Sequence, residues 1–229
     1  MNERFSPRWF VFLIFVVADI ICLNEYPSIR FFTKPFLIPA LIVAYHHDVR
    51  PLSVPSRLFI AALVCSWLGD VLLMLEARDP IFFIGGLLAF LSAHLLYIWY
   101  FKGIISTKKS FLKSRPVMLL AVVVFVFELI YILWPGLGAM KIPVIVYASV
   151  IGTMLAFALW QYGKIDQWAA LLFISGALLF VLSDSLLAIN RFRIGFKGAG
   201  TWVMITYCLA QFLLAKGSVR HLRQNPSQD

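Results

Sequence analysis

Residues 57–76 read RLFIAALVCSWLGDVLLMLE, an apolar run bounded by Arg57 and Glu76 in which Asp70 is the one charged side chain. At a rise of about 1.5 Å per residue, about 20 such residues reach across the roughly 30 Å hydrocarbon core of a bilayer. The same pattern recurs between short polar or Pro-containing breaks, which places spans near 9–23, 35–45, 57–76, 81–101, 116–134, 142–162, 167–189 and 201–217. The second is short and carries Pro39. The expected fold is therefore all-α, a polytopic transmembrane helical bundle of about eight helices. Residues 1–229 then form a single integral membrane domain with almost no room for a soluble one.

Composition agrees. Hydrophobic residues make up 62% of the 229, and charged residues only 14%, where a water-soluble domain carries about a quarter. The net charge of +9 resides in loops and tails, as topology signals and headgroup contacts do, and no aromatic-basic motif for nucleic acid appears. Cys22, Cys65 and Cys208 fall inside apolar runs without metal-ligand or CxxC spacing, and read as small buried hydrophobes. The run from Trp9 to Leu23 follows Arg4 and Arg8 but lacks a small-residue cleavage site, so it reads as a retained first helix.

Lys102, Lys108, Lys109, Lys113 and Arg115 crowd the segment between the fourth and fifth spans. With the other Lys and Arg they predict both termini on the cytoplasmic side of a plasma or inner membrane. An internal echo links Asp-x-Leu-Leu at 70–73 to the same pattern at 184–187, and Ala93-His94-Leu95-Leu96 to Ala210-Gln211-Phe212-Leu213. The offset of four helices suggests a four-plus-four parallel repeat.

Ionisable groups inside a span are costly and usually face a partner or a functional cavity. Asp19, Asp70, His94, Glu128 and Asp184 qualify. Asp70 and Asp184 sit at similar distances from the ends of their spans, about 8 to 9 Å below one membrane face, which permits a shared site. Ala62, Ser66 and Asp70 share one helix stripe, and Gly176, Asp184 and Ala188 another. Gly85, Ala89 and Ala93 lead to His94 and Tyr97. Asp19 and Glu128 stand in helices with few other polar groups and serve interhelical hydrogen bonding equally well. His46, His47 and His221 read as exposed loop or tail residues. One intramembrane His does not make a catalytic zinc site, and neither GxSxG nor HExxH occurs.

Several of these stretches together resemble one family. Lys34-Pro35, Trp67-Leu68-Gly69-Asp70 with Leu72-Leu73, Gly86 through Phe90 to Ala93-His94-Leu95-Leu96-Tyr97, Gly176-Ala177 through Phe180 to Ser183-Asp184, and Asn190-Arg191-Phe192 look like the YhhN/TMEM86 family. Met204, Tyr207 and Ala210-Gln211 continue the resemblance, which covers about residues 30–217. It implies a multi-pass membrane enzyme, since characterised animal members are lysoplasmalogenases. These cleave the vinyl ether of a lysoplasmalogen to a fatty aldehyde and a glycerophospho-ethanolamine or -choline. The family's paired aspartates fall on Asp70 and Asp184. Its further polar positions fall on His94, Tyr97, Asn190, Arg191, Tyr207 and Gln211.

That chemistry needs an acid to protonate the β carbon of the vinyl ether, and water to attack the resulting oxocarbenium ion at the α carbon. Two carboxyl groups suffice, as in glycosidases, with no metal or cofactor. Asp184 is the expected acid and Asp70 the base or stabiliser, with His94 an alternative proton carrier. Lys34, Asn190 and Arg191 are expected toward the headgroup phosphate, Arg191 lying about 10 Å along the helix from Asp184. The expected partners are a lysophospholipid substrate and membrane lipids, with oligomeric state left open. A proton-coupled transporter or lipid translocator using the same carboxylates is the alternative.

Overall fold

The computed structural model describes residues 7–224 except position 114 and the side chain at 113. Arg4 and the Lys113 side chain thus lie outside the described part of the basic clusters. Eight helices follow one another: α1 (Pro7–Glu25), α2 (Arg30–Asp48), α3 (Val54–Met74), α4 (Ile81–Gly103), α5 (Val117–Leu133), α6 (Lys141–Trp160), α7 (Gln167–Phe192) and α8 (Ala199–Gln224). All but α2 are long and apolar enough to cross a membrane, by length and composition, and the chain is a multi-pass membrane protein.

The distribution of apolar residues is that of a protein dissolved in lipid. The most apolar helix, α5, is the least covered by its neighbours, while the least apolar of the seven, α8, is the most covered. In water the order would reverse. Helix α8 is the axis of the bundle, touching α1, α2, α3 and α7, whereas α5 leans mainly on α6 and α7.

Helix α2 begins at Arg30, five residues before the expected start, so Lys34 lies inside it. Pro35 is the sixth residue of α2, past the first turn, and leaves the Phe31 carbonyl without its helical donor. Pro39 deprives the Pro35 carbonyl of its helical donor. The indole Nε1 of Trp67 supplies a replacement, donating to that carbonyl at 2.8 Å and fastening α2 to α3.

At the other end of the bundle, α7 starts on Asp166, whose carboxylate accepts the Ala169 N–H at 3.0 Å. The hydrogen bond from Arg220 holds that carboxyl below the usual range. Helix α8 continues seven residues past the expected end at 217, which carries His221 into the bundle at 2% exposure. The expectation of an exposed tail histidine is thus corrected. His46 and His47 occupy the last turn of α2, half-buried and exposed.

The closest helix pairs, α3/α4 and α7/α8, meet through glycine. A Cβ on Gly69 would stand 2.6 Å from the Phe90 ring, and one on Gly176 would stand 3.0 Å from the Ala210 carbonyl oxygen and the Leu214 nitrogen. Backbone atoms of α8 have no rotamer by which to withdraw. Gly176→Ala is expected to cost about 1–3 kcal/mol. Gly85→Ala, whose Cβ would make an ordinary 3.4 Å contact with Leu72, should be neutral or slightly stabilising. Thermal unfolding in detergent compares the two, and equal shifts would refute the close-approach argument.

Candidate active site

Asp184 lies eight residues before the end of α7, with its side chain 13% exposed. Two neighbouring helices address its Oδ2 atom. Helix α4 brings His94 Nε2 to 3.1 Å, and α6 brings the Tyr147 hydroxyl, which donates at 2.6 Å. His94 and Tyr147 also touch each other, Nε2 to hydroxyl, at 3.1 Å. The imidazole is fully buried, with its Nδ1 3.3 Å from the Met154 sulfur and the Phe180 ring edge-on at 4.6 Å. A thioether is a weak hydrogen-bond partner, so the strong partners all sit on the Nε2 side, where three heteroatoms are closely spaced.

Asp184 and Tyr147 form one wall of an otherwise apolar cavity of about 40 Å³, bounded also by Phe83, Phe90, Leu129, Leu133 and Phe192, with His94 behind that wall. That volume holds about two or three water molecules. Arg191 completes the lining. It is half exposed, paired with Glu76 at 2.6 Å, and lies over the Phe83 ring at 4.8 Å. Asp184 and Arg191, about 10 Å apart along one helix, therefore face one cavity, a carboxylate inside and a guanidinium at the rim.

Asp70 belongs to a second cluster. It is 3% exposed, accepts the Tyr207 hydroxyl at 2.7 Å and pairs with Lys34 Nζ at 3.4 Å. The Trp67 clamp on Pro35 sets this pairing, because it fixes the residue after Lys34 against the turn before Asp70. The rings of Phe90 and Phe180 stand between the clusters, each packed edge-on against Tyr207 at 5.8 and 5.5 Å. Asp70 does not line the cavity. Measured from their helix ends, the two aspartates differ in depth by four residues, about 6 Å. Gly176 and Asp184 also diverge, the first meeting α8 and the second α4 and α6, since eight residues advance a helix face by about 80°.

The remaining polar positions are further from the cavity. The Tyr97 hydroxyl donates to Gln211 Oε1 at 2.6 Å, both groups buried. Asn190 is exposed and its side-chain oxygen accepts the Phe196 N–H, shaping the turn into α8. Asp19 accepts the Thr33 hydroxyl and pairs with Arg30, tying α1 to α2, and Glu128 is exposed on α5. Tyr147, Met154 and Glu76 are the site residues that sequence reasoning missed. Tyr147 is the one hydroxylated aromatic within α6, and that is the only local sign it gives. Among the described residues, no three His, Cys, Asp or Glu side chains converge as metal ligands would.

The chain is 33% identical to human lysoplasmalogenase TMEM86B over 166 residues, covering 72% of this chain and 65% of that one. Bos taurus lysoplasmalogenase TMEM86A is 32% identical over 171 residues, with the same two coverages. A Mycobacterium bovis lysoplasmalogenase is 29% identical over 181 residues, covering 78% of this chain and 66% of that one. The chain thus spans just under two thirds of the length of these two mammalian relatives. No solved structure matches it. A family model described as the YhhN family matches residues 29–218, which include every candidate position from Lys34 to Gln211, and the chain belongs to that family.

Proposed function

We propose that this protein is a lysoplasmalogenase, hydrolysing the vinyl ether of a lysoplasmalogen to a fatty aldehyde and a glycerophospho-alcohol. The observation that carries the reading is one cavity holding Asp184, bonded to His94 and Tyr147, with Arg191 at its rim, in a chain whose relatives are named for this activity. Arg191 exchanges Glu76 for the substrate phosphate. The ether linkage, separated from the phosphate by the glycerol backbone, then enters toward Asp184.

Asp184 delivers a proton to the β carbon, and the carboxylate left behind stabilises the oxocarbenium ion at the α carbon. His94 and Tyr147 hold that carboxylate on one oxygen. A water in the cavity adds to the α carbon and returns its proton to the Asp184–His94 pair. The hemiacetal then breaks its bond to the glycerol oxygen, releasing aldehyde and alcohol, so the overall balance is one water consumed. Asp70, the second of the two aspartates, acts behind the aromatic wall. Its ion pair with Lys34 and its bond from Tyr207 fix the rings against which the reacting groups lie. The basic segment between α4 and α5 favours cytoplasmic termini, with the cavity opening toward the opposite face.

Four outcomes follow from these assignments. Purified protein given lysoplasmalogen should release aldehyde, and leave the ester-linked lysolipid intact. Asp184→Asn should lose about 10²–10⁴-fold in rate at an unchanged melting temperature; full turnover by this variant would remove Asp184 from the chemistry. Asp70→Asn should lose activity and stability together, because it strands a buried Lys34 charge at a cost of about 3–5 kcal/mol. The double replacement Lys34→Met/Asp70→Leu should recover most of that stability, and a double variant as unstable as the single one would show that the ion pair is not the cause. Finally, a reporter fused after Asp229 should read out in the cytoplasm, and an external signal would invert the orientation.

A further inference from the structure

We infer that the open groove between α5, α6 and α7 seats the substrate's hydrocarbon tail, which makes it the element that selects long-chain ether lipids entering sideways from the bilayer. The inference rests on the lysoplasmalogenase reading. The groove has a volume of about 530 Å³ and is lined by Met118, Phe125, Leu155, Leu159, Leu178 and Leu182, among others. It adjoins the Asp184 cavity, since Val181 and Ser185 line both. No charged residue lines it, and the one nearby hydroxyl, on Ser185, is already spent on the Val181 carbonyl at 2.6 Å.

Length and direction fit a lipid tail. Tyr147, at the carboxylate, and Leu159, at the far end, are twelve residues apart on α6, about 18 Å. One leaflet contributes about half of a 30 Å hydrocarbon core, or about 15 Å. A tail that begins beside Asp184, eight residues or about 12 Å from the end of α7, and runs this length passes the midplane, so the groove keeps the direction of the tail and draws it deeper than it lies in the bilayer, while Arg191 lies at the headgroup end. The walls open to lipid, with Leu178 50% and Leu182 45% exposed, over a floor of Val181 and Leu155 that is buried.

A tail fits this groove better than a partner helix. Close helix approach calls for small residues, and those lie on the other side of α5, at Ser149, Gly152 and Thr153. The groove presents Met, Phe and Leu, whose flexible side chains accommodate a hydrocarbon chain. Helix α5, held mainly by α6 and α7, is the element that can yield as the tail slides in.

The test uses the full chain in lipid nanodiscs and an alkyl-ether lysophosphoethanolamine with a diazirine at the end of a sixteen-carbon tail. Irradiation should label peptides containing Met118–Phe125 and Leu155–Leu159, and excess unlabelled alkyl-ether lysolipid should suppress the label where diacyl lipid does not. Label spread over the lipid-facing helices, label that diacyl lipid competes away, or label that joins two copies of the chain would overturn the assignment. Leu159→Trp, filling the far end, should lower the ratio of kcat/KM for sixteen- over eight-carbon vinyl ethers about tenfold. Leu178→Trp should do the same from α7, and an unchanged ratio in a folded variant refutes the ruler. Competed label in the groove without any aldehyde release would retain the tail site and reject the lysoplasmalogenase reading. Aldehyde release with label elsewhere would do the opposite.

Discussion

An ionised side chain at the centre of a bilayer costs about 2.5–3.5 kcal/mol even on the most lenient scale, and this constraint arranges the interior of the bundle. Each buried carboxylate is met by a partner that a different helix brings. Lys34 of α2 meets Asp70 of α3, Arg30 of α2 meets Asp19 of α1, and His94 of α4 meets Asp184 of α7. The first two partners are a Lys and an Arg, and the third is an imidazole. The carboxylate that meets the imidazole is the one that lines a cavity, and the proposed division between structural and reacting carboxylates rests on that difference.

The pairing of Lys34 with Asp70 depends in turn on a broken helix. Pro39 leaves the Pro35 carbonyl without its backbone donor, and Trp67 fills the gap from α3. A carbonyl left bare in hydrocarbon would cost several kcal/mol, so the proline that weakens α2 specifies where α3 docks. Trp67 and Asp70, one turn apart, then hold two consecutive residues of α2. The stretch Trp67-Leu68-Gly69-Asp70 can be understood residue by residue: a donor for the free carbonyl, a glycine that admits the Phe90 ring, and a carboxylate for Lys34.

Much of this was legible because membrane helices announce themselves by long apolar runs. Six of the eight helices begin and end within a few residues of their expected bounds, and α8 overran because its last turns carry charge yet stay packed. The start of α2 was hidden by Pro35, which reads as a breaker although the helix runs through it from Arg30. Asp70, Asp184 and His94 could be chosen because polar groups in apolar runs are conspicuous. Tyr147 could not, since nothing within its own helix distinguishes it from an interfacial aromatic and its partner is 37 positions away. Nor does sequence reveal that Phe90 and Phe180 separate the two aspartates. Matched depth along helices is a one-dimensional measure, and an aromatic wall across the bundle is invisible to it.

Hydrolysis inside a membrane requires water where water is scarce and a substrate that seldom leaves its leaflet. The two needs pull a site in opposite directions, toward the aqueous face and toward the lipid. Here they meet on one face of α7, where Arg191, Asp184 and Val181 follow one another from the polar rim to the apolar groove. The small cavity between has room for two or three waters, which suits the proposed attack of one water on an oxocarbenium ion. The sparse coverage of α5 fits the same proposal. A helix packed as tightly as α8 would cover the groove, whereas α5 leaves it open to lipid, as the proposed tail site requires.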